Sequence, residues 1–202
     1  PPPEGVLTTS GTRASPALYE ADQHYIVPLI TATDYVPTLT QICQRENVHL
    51  IFPLIDPDIP VLAANRAALE MSGARLAVVS PDGAAIARDK WLTTQFFRGL
   101  GLATPQSWLA VNSVSQAIEY PVFIKPRRGS AAKSTFAARD ARELNFFVRY
   151  VPDPIIQEFL PGPEITNDVI CDLDGQVLAV ISRRRIEVRW GEVAKGVTIN
   201  DN

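Results

Sequence analysis

Apolar positions in this chain follow two alternating periods. Short runs of aliphatic and β-branched residues at 6–9, 25–28, 49–53 and 75–79 read as strands, and the stretches between carry apolar residues three and four apart. Residues 34–46 predict an amphipathic helix with Leu39, Ile42 and Cys43 on one side. Residues 60–72 predict a second helix, rich in Ala and Leu and closed by Gly73. The run from His49 to Pro53 is continuously apolar, which suits a buried parallel strand. Strands alternating with helices predict an open, mostly parallel α/β sheet. The turn cluster Ser80 to Gly83 then marks a first boundary.

Beyond it the pattern changes. Residues 89–100 predict a helix ending near Gly99 or Gly101, residues 107–111 a strand, and residues 113–120 a short helix. Val122 to Lys125 and Ser134 to Ala138 read as strands on either side of a loop. Residues 141–151 predict a helix with Leu144, Phe147 and Val148 at helical spacing, followed by a strand at 154–160. Residues 164–171 and 177–188 alternate well enough to pair as a hairpin around Asp172 to Gly175. From Pro105 onward the pattern is a smaller α+β lobe running into an antiparallel sheet.

Composition narrows the function classes. The 202 residues are 46% hydrophobic and carry a net charge of -3, so no global basic field attracts nucleic acid or an anionic membrane. No apolar run approaches the length of a membrane span. Cys43 and Cys171 lie far apart with no C-x-x-C pair, which points to a reducing, cytoplasmic compartment and argues against zinc. His24 and His49 have no matching nucleophile or metal partner and read as structural.

The basic residues cluster locally, at 125–133 and 183–189. Lys125 ends an apolar, β-branched strand and needs an anion. The loop Gly129 to Ala132 beside it, flanked by Arg127, Arg128 and Lys133, is built of small residues that turn backbone N–H groups toward such an anion. Phosphate is the obvious candidate, although neither a Walker P-loop nor a dinucleotide fingerprint is present. Asp89 suits a helix N-terminus, and Lys90 in the first turn is electrostatically misplaced unless an anion sits there. Gln157 to Leu160 ends a strand whose amide groups suit an adenine edge, with Phe159 and Leu160 to cover the ring. Glu164, past the turn Pro161 to Pro163, suits ribose hydroxyls. Arg183, Arg185, Arg189 and Lys195 lie on or after the last strand, as a charged site wall or a solvated edge. Asp56 and Asp58 follow a strand end, as residues of the crevice at the carboxyl ends of the strands or, the preferred reading, as turn and helix-start residues.

In this order the pieces resemble an ATP-grasp protein, and most closely the carbamoyl-phosphate synthase large-subunit-like branch. The matching elements are Ala17 to Asp22 with Val27 and Pro28, Pro53 to Asp58, Asp89 and Lys90 with Gly101 to Pro105, Pro121 to Ser130, and Gln157 to Glu164. The resemblance implies an α/β chain with a Rossmann-like pre-ATP-grasp domain over residues 1–85, its N-terminal part missing, and an incomplete ATP-grasp fold of two α+β lobes over 86–202. The lid lobe would cover about 113–158 and the large lobe would start near 159.

It implies that ATP lies between the lobes, with Lys90 and Lys125 on its phosphates, Gly129 and Ser130 closing over them, and Gln157 facing the adenine amino group. Glu158, Phe159 and Leu160 would frame the hinge, and Glu164 would hold the ribose. The implied chemistry is activation of a carboxylate or bicarbonate as an acyl phosphate, then attack by an amine or ammonia, with Lys125, Arg185 and Lys195 as catalytic cations. Mg²⁺ ligands are expected downstream of Asn202, so no metal ligand is assigned here. The resemblance leaves a homodimer or a partner subunit open, along with a kinase and a non-catalytic nucleotide-binding module. The loop at 129–133 holds alanines where relatives are richer in glycine, and less tight closure is expected of it.

Overall fold

The computed structural model describes residues 5–109, 118–189 and 191–199. The chain divides into two compact units, Pro1–Ala84 and Ala85–Asn202.

In the first unit β1 (Leu7–Ser10) pairs in parallel with β2 (Gln23–Ile26), and β3 (Leu50–Ile51) pairs in parallel with β4 (Arg75–Leu76). The expected single open sheet is thus two separate parallel pairs. The strands are short: the apolar run at 49–53 yields only two strand residues, because Pro53 cannot extend a ladder. Helix α1 (Tyr35–Arg45) buries Tyr35, Leu39, Ile42 and Cys43, as its periodicity predicts. The helix expected over 60–72 is two, α2 (Asp58–Ala64) and α3 (Arg66–Glu70). They break at Asn65, whose side chain donates to the Val61 carbonyl, a local bond that competes with helix continuation. Gly73 closes the pair with φ +95°. Leu62, Leu69 and Leu76 join the α1 residues in one core.

The expected boundary turn at 80–83 is instead the start of α4 (Pro81–Arg88). The Ser80 hydroxyl accepts from the Gly83 N–H, Pro81 fits a first helical position, and Asp82 lies in the first turn. A Ser-Pro-Asp run serves a helix entry as readily as a turn.

The second unit opens with α5 (Lys90–Gly99) and a four-stranded antiparallel sheet in the order β5-β8-β6-β7. Its strands are β5 (Ser107–Leu109), β6 (Val122–Pro126), β7 (Phe136–Ala138) and β8 (Pro154–Glu158). The helix expected at 113–120 lies largely outside the described residues. On one face Val122, Ile124, Ala138 and Ile156 pack with Leu144 of α6 (Ala141–Tyr150). Phe123 stands opposite Gln157 and Lys125 opposite Ile155, so these side chains share the other face. From α5, Thr94 reaches that second face and contacts Gln157. A separate sheet follows, β11-β10-β9, from β9 (Ile165–Cys171), β10 (Val177–Arg189) and β11 (Glu192–Thr198). The β9–β10 hairpin turns through Asp172 to Gly175 as expected, with Gly175 at φ +84°.

Ile156 is fully buried between α6 and the sheet. Ile156→Ala is expected to cost the second unit about 2–5 kcal/mol, read as a lowered urea midpoint, and to leave Leu69's unit unaffected.

Candidate functional site

The face of the four-stranded sheet turned away from α6 carries the charged chemistry. Its central cation, Lys125, points across the Phe123 ring, with the ammonium 5.6 Å from the centroid. Burial depresses its pKa, the charge of Lys90 depresses it further, and Glu164 opposes both. Lys90 is half-buried at the start of α5, and its pKa too is lowered, by burial against the pull of Asp89. Lys90 Nζ donates to the Gly129 carbonyl at 2.9 Å. The two lysines, Gly129 and Glu164 are therefore brought together. Neither ammonium has a carboxylate partner among the described residues.

Arg127 and Arg128, read from the sequence as flanking an anion, are already neutralised. Arg127 Nε donates to both oxygens of Asp89 at 2.7 and 2.8 Å, and Arg128 reaches Asp89 at 3.0 Å and Asp153 at 3.5 Å. Asp89 is 2% exposed and also accepts from the Trp91 and Leu92 N–H groups. Burial pushes its pKa up, but Arg127 and those N–H groups outweigh burial and hold the carboxyl below the usual range.

The loop after β6 does not avoid the left-handed region. Gly129, Ala131, Ala132 and Ser134 all have positive φ, at 116°, 59°, 50° and 54°. A non-glycine residue adopts this conformation at a cost of about 1–2 kcal/mol. The alanines that were expected to restrict the loop thus adopt the geometry anyway, under strain. Gly191 holds them there: a Cβ on it would lie 2.7 Å from the Ala131 carbonyl carbon and 2.8 Å from Ala132 N. Ser130 is exposed and makes no hydrogen bond to a described residue.

The end of β8 forms the next wall. Gln157 is buried, and its Nε2 donates to Ser107 Oγ at 2.9 Å and lies 3.5 Å from Thr94 Oγ1. Only its Oε1 is left for an outside donor. The Glu158 carboxylate accepts from the Gln106 N–H at 3.0 Å and fastens β5. Phe159 packs on Phe123 with centroids 6.4 Å apart, and Leu160 is exposed. Phe159 also lines a cavity of about 420 Å³ with Tyr120, Pro121, Ala137 and Arg139.

Glu164 pairs with Arg185 at 2.9 Å, and Arg185 donates through its other terminal nitrogen to the Gly191 carbonyl at 2.7 Å. Arg185 Nε is buried without a partner among the described residues. Lys195 is exposed and pairs with Glu187 at 2.8 Å, and no contact joins it to Lys90 or Lys125. Two contributors were missed in the sequence: Gly191 as the loop's support, and Asp89 as the acid that takes both arginines. Only the Asp89 cap left a signal, a carboxylate just ahead of a helix.

An ATP-grasp domain matches residues 87–201, more than half of the chain, and a PylC-like N-terminal domain matches residues 4–77. The chain belongs to the ATP-grasp family. The D-alanine–D-alanine ligase of Marinomonas sp. is 32% identical over 117 residues, 54% of this chain and 37% of that protein. The L-amino acid ligase of Bacillus licheniformis superposes over 90% of this chain and 44% of its own at 19% identity, with a TM-score of 0.66. An N5-carboxyaminoimidazole synthetase from Staphylococcus aureus complexed with ADP superposes over 92% of this chain and 49% of its own at 13% identity, with a TM-score of 0.68. These structural likenesses establish the fold: a mixed α/β N-terminal domain followed by an ATP-grasp domain. The chain spans less than half the length of each of these relatives. Among the described residues no group of three or more His, Cys, Asp or Glu is placed to hold a metal, and no helix is long and apolar enough to cross a membrane.

Two outcomes follow from the site. The unfolded chain binds more protons than the folded one between Lys125's depressed pKa and the ordinary lysine value of 10.5, so this residue's contribution to stability rises with pH across that window. Lys125→Met is expected to raise the urea midpoint near pH 7, with the gap over wild type closing as pH approaches 10.5. Gly191→Ala is expected to push the loop off its support and speed tryptic cleavage after Lys133, measured by limited proteolysis. An unchanged cleavage rate would show that the contact does not hold the loop.

Proposed function

We propose that this chain is the nucleotide-gripping part of an ATP-dependent ligase that activates a carboxylate, or bicarbonate, as an acyl phosphate for attack by an amine or ammonia. The observation that carries this reading is the Lys90–Lys125 pair: two half-buried ammonium groups near each other with no carboxylate on either. Like charges in a shielded place are costly unless an anion is meant to join them. A triphosphate supplies that anion, and phosphoryl transfer needs little more from protein than positioned cations and N–H donors.

In this reading Gly129 to Ala132 closes over the phosphates. The purine lies against Phe159 and Phe123, where the backbones of Phe159 and Leu160 have no hydrogen-bond partner among the described residues. Gln157 Oε1 faces the adenine amino group. Glu164 takes the ribose hydroxyls once it is released from Arg185, which then stands near the phosphates. Lys195, held by Glu187, has less support as a catalytic group. Residues 1–85 and 86–202 act as a pre-ATP-grasp domain and an ATP-grasp domain, with a lid lobe up to about residue 158.

The described residues offer Mg²⁺ no cluster of ligands, so no role is drawn for any of them toward the metal. The carbamoyl-phosphate synthase-like branch has no specific support. The relatives include a D-alanine–D-alanine ligase and an L-amino acid ligase, which favours an amino-acid carboxylate over bicarbonate.

ATP and ADP titrated with Mg²⁺ into the wild type and Lys125→Ala, followed by calorimetry, test the reading. Binding by the wild type and its loss in the variant are expected. Where ligase activity is measured, the same substitution is expected to cost about 2.7–4 kcal/mol of transition-state stabilisation. No binding by either protein would remove the nucleotide reading for this chain.

A further inference from the structure

We infer that Asp89 is the positioning residue of the two-lysine site: its carboxylate ties the turn after β6 to the first turn of α5, fixes Lys90 relative to Lys125, and holds Arg127 and Arg128 away from the anion. This rests on reading that site as the phosphate grip.

The geometry is a knot between two short segments. Asp89 caps α5 through the Trp91 and Leu92 N–H groups at 3.0 and 3.3 Å. The same carboxylate takes Arg127 and Arg128. The backbones join as well: Lys90 N donates to the Arg127 carbonyl at 3.0 Å, and Asp89 and Arg128 form an isolated antiparallel bridge. Lys90 Nζ then closes the knot on Gly129. Arg127 N in turn donates to the Asp153 carbonyl at 2.9 Å, which anchors the turn to the start of β8.

The charges require this carboxylate. Around Lys90 stand Asp89 beside it, Lys125 from β6, and Arg127 and Arg128 from the following turn, with Asp153 against Arg128. Without Asp89, four cations crowd one spot and two of them are long, mobile guanidiniums that bind phosphate in a bidentate fork. They would draw the anion toward the turn and away from the lysines. A capping role alone needs only an oxygen, which asparagine supplies equally well. The negative charge and its position are the features that a cap does not need.

The test separates cap, charge and position. Wild type, Asp89→Asn, Asp89→Glu and Arg127→Lys are compared for ADP affinity by calorimetry. Their nucleotide-free lysine titrations are read by NMR after reductive ¹³C-methylation. The chain has four lysines, Lys90, Lys125, Lys133 and Lys195, so the methyl signals are few.

Asp89→Asn is expected to keep its fold, to lower the Lys90 pKa while Lys133 and Lys195 stay fixed, and to weaken ADP binding about tenfold or more, as loss of a charge-assisted contact does. Asp89→Glu is expected to restore the Lys90 titration in full and the affinity in part. Arg127→Lys keeps the charge but not the fork, and is expected to weaken ADP binding about fivefold, a fraction of one charge-assisted hydrogen bond. If Asp89→Asn unfolds, Arg127→Lys carries the test.

A folded Asp89→Asn with unchanged Lys90 titration and ADP affinity overturns the inference. So does an Arg127→Lys that binds ADP as the wild type does. A wild type that binds no ADP removes the proposed function instead, and the Lys90 titration then decides the positioning role alone.

Discussion

The second unit depends on a buried carboxylate that serves two masters. Asp89 completes the open N-terminus of α5 and neutralises two arginines that arrive from the end of β6. Each role alone is ordinary. Together they fix the distance between a helix start and a strand end, the two places in the unit that carry a half-buried lysine. A buried charge of this kind is costly unless every lone pair is used, and Asp89 uses its oxygens on two backbone donors and two guanidiniums. Arginine suits that partnership better than lysine, because its donors form a planar fork that a carboxylate matches. The arginines are thereby paired with acids, while the two lysines beside them have no carboxylate partner among the described residues.

The same economy appears around the loop. Ala131, Ala132 and Ser134 sit in a conformation that glycine would adopt freely, so something must hold them. Gly191 supplies the space, since its missing side chain admits the loop backbone. Its carbonyl is held by Arg185, and Arg185 is held by Glu164. A contiguous set of contacts thus runs from Glu164 through Arg185 and Gly191 to the loop, and from Gly129 to Lys90. Glu164 and the loop are therefore linked through one arginine, which binds both the carboxylate and the Gly191 carbonyl.

Much of this was legible in the sequence, and the reasons differ from element to element. Helices α1 and α6 follow directly from apolar spacing, and α5 from an aspartate ahead of it, because local chemistry decides them. The hairpin through Asp172 to Gly175 is equally local. Lys90 and Lys125 were singled out because a lysine in a first helical turn, or at the end of an apolar strand, sits badly without an anion, and the structure brings the two near each other. The break at Asn65 and the helix at 81–88 were misread, because one side-chain hydrogen bond or one cap outweighs composition over so short a stretch. Arg127 and Arg128 were misread for a different reason. Their charge is visible in the sequence, but the acid that cancels it lies 38 and 39 residues away.

Gln157 shows how far such a reading can go. Its place at a strand end, opposite Phe123, follows from alternation, and so does the side it faces. What alternation cannot reveal is that the amide nitrogen is already committed to Ser107 and Thr94, on a neighbouring strand and a covering helix. That commitment orients the amide. With Nε2 drawn into the fold, the oxygen is the end left to accept, so Gln157 suits a ligand that presents an amino group and disfavours one that presents a carbonyl there. An adenine edge offers an amino group at this position, whereas guanine offers a carbonyl. Both hydroxyls donate elsewhere, Ser107 to the Pro105 carbonyl and Thr94 to the Lys90 carbonyl, so a turned-around amide would set its oxygen against two acceptors, and under the proposed nucleotide reading this orientation favours adenine over guanine.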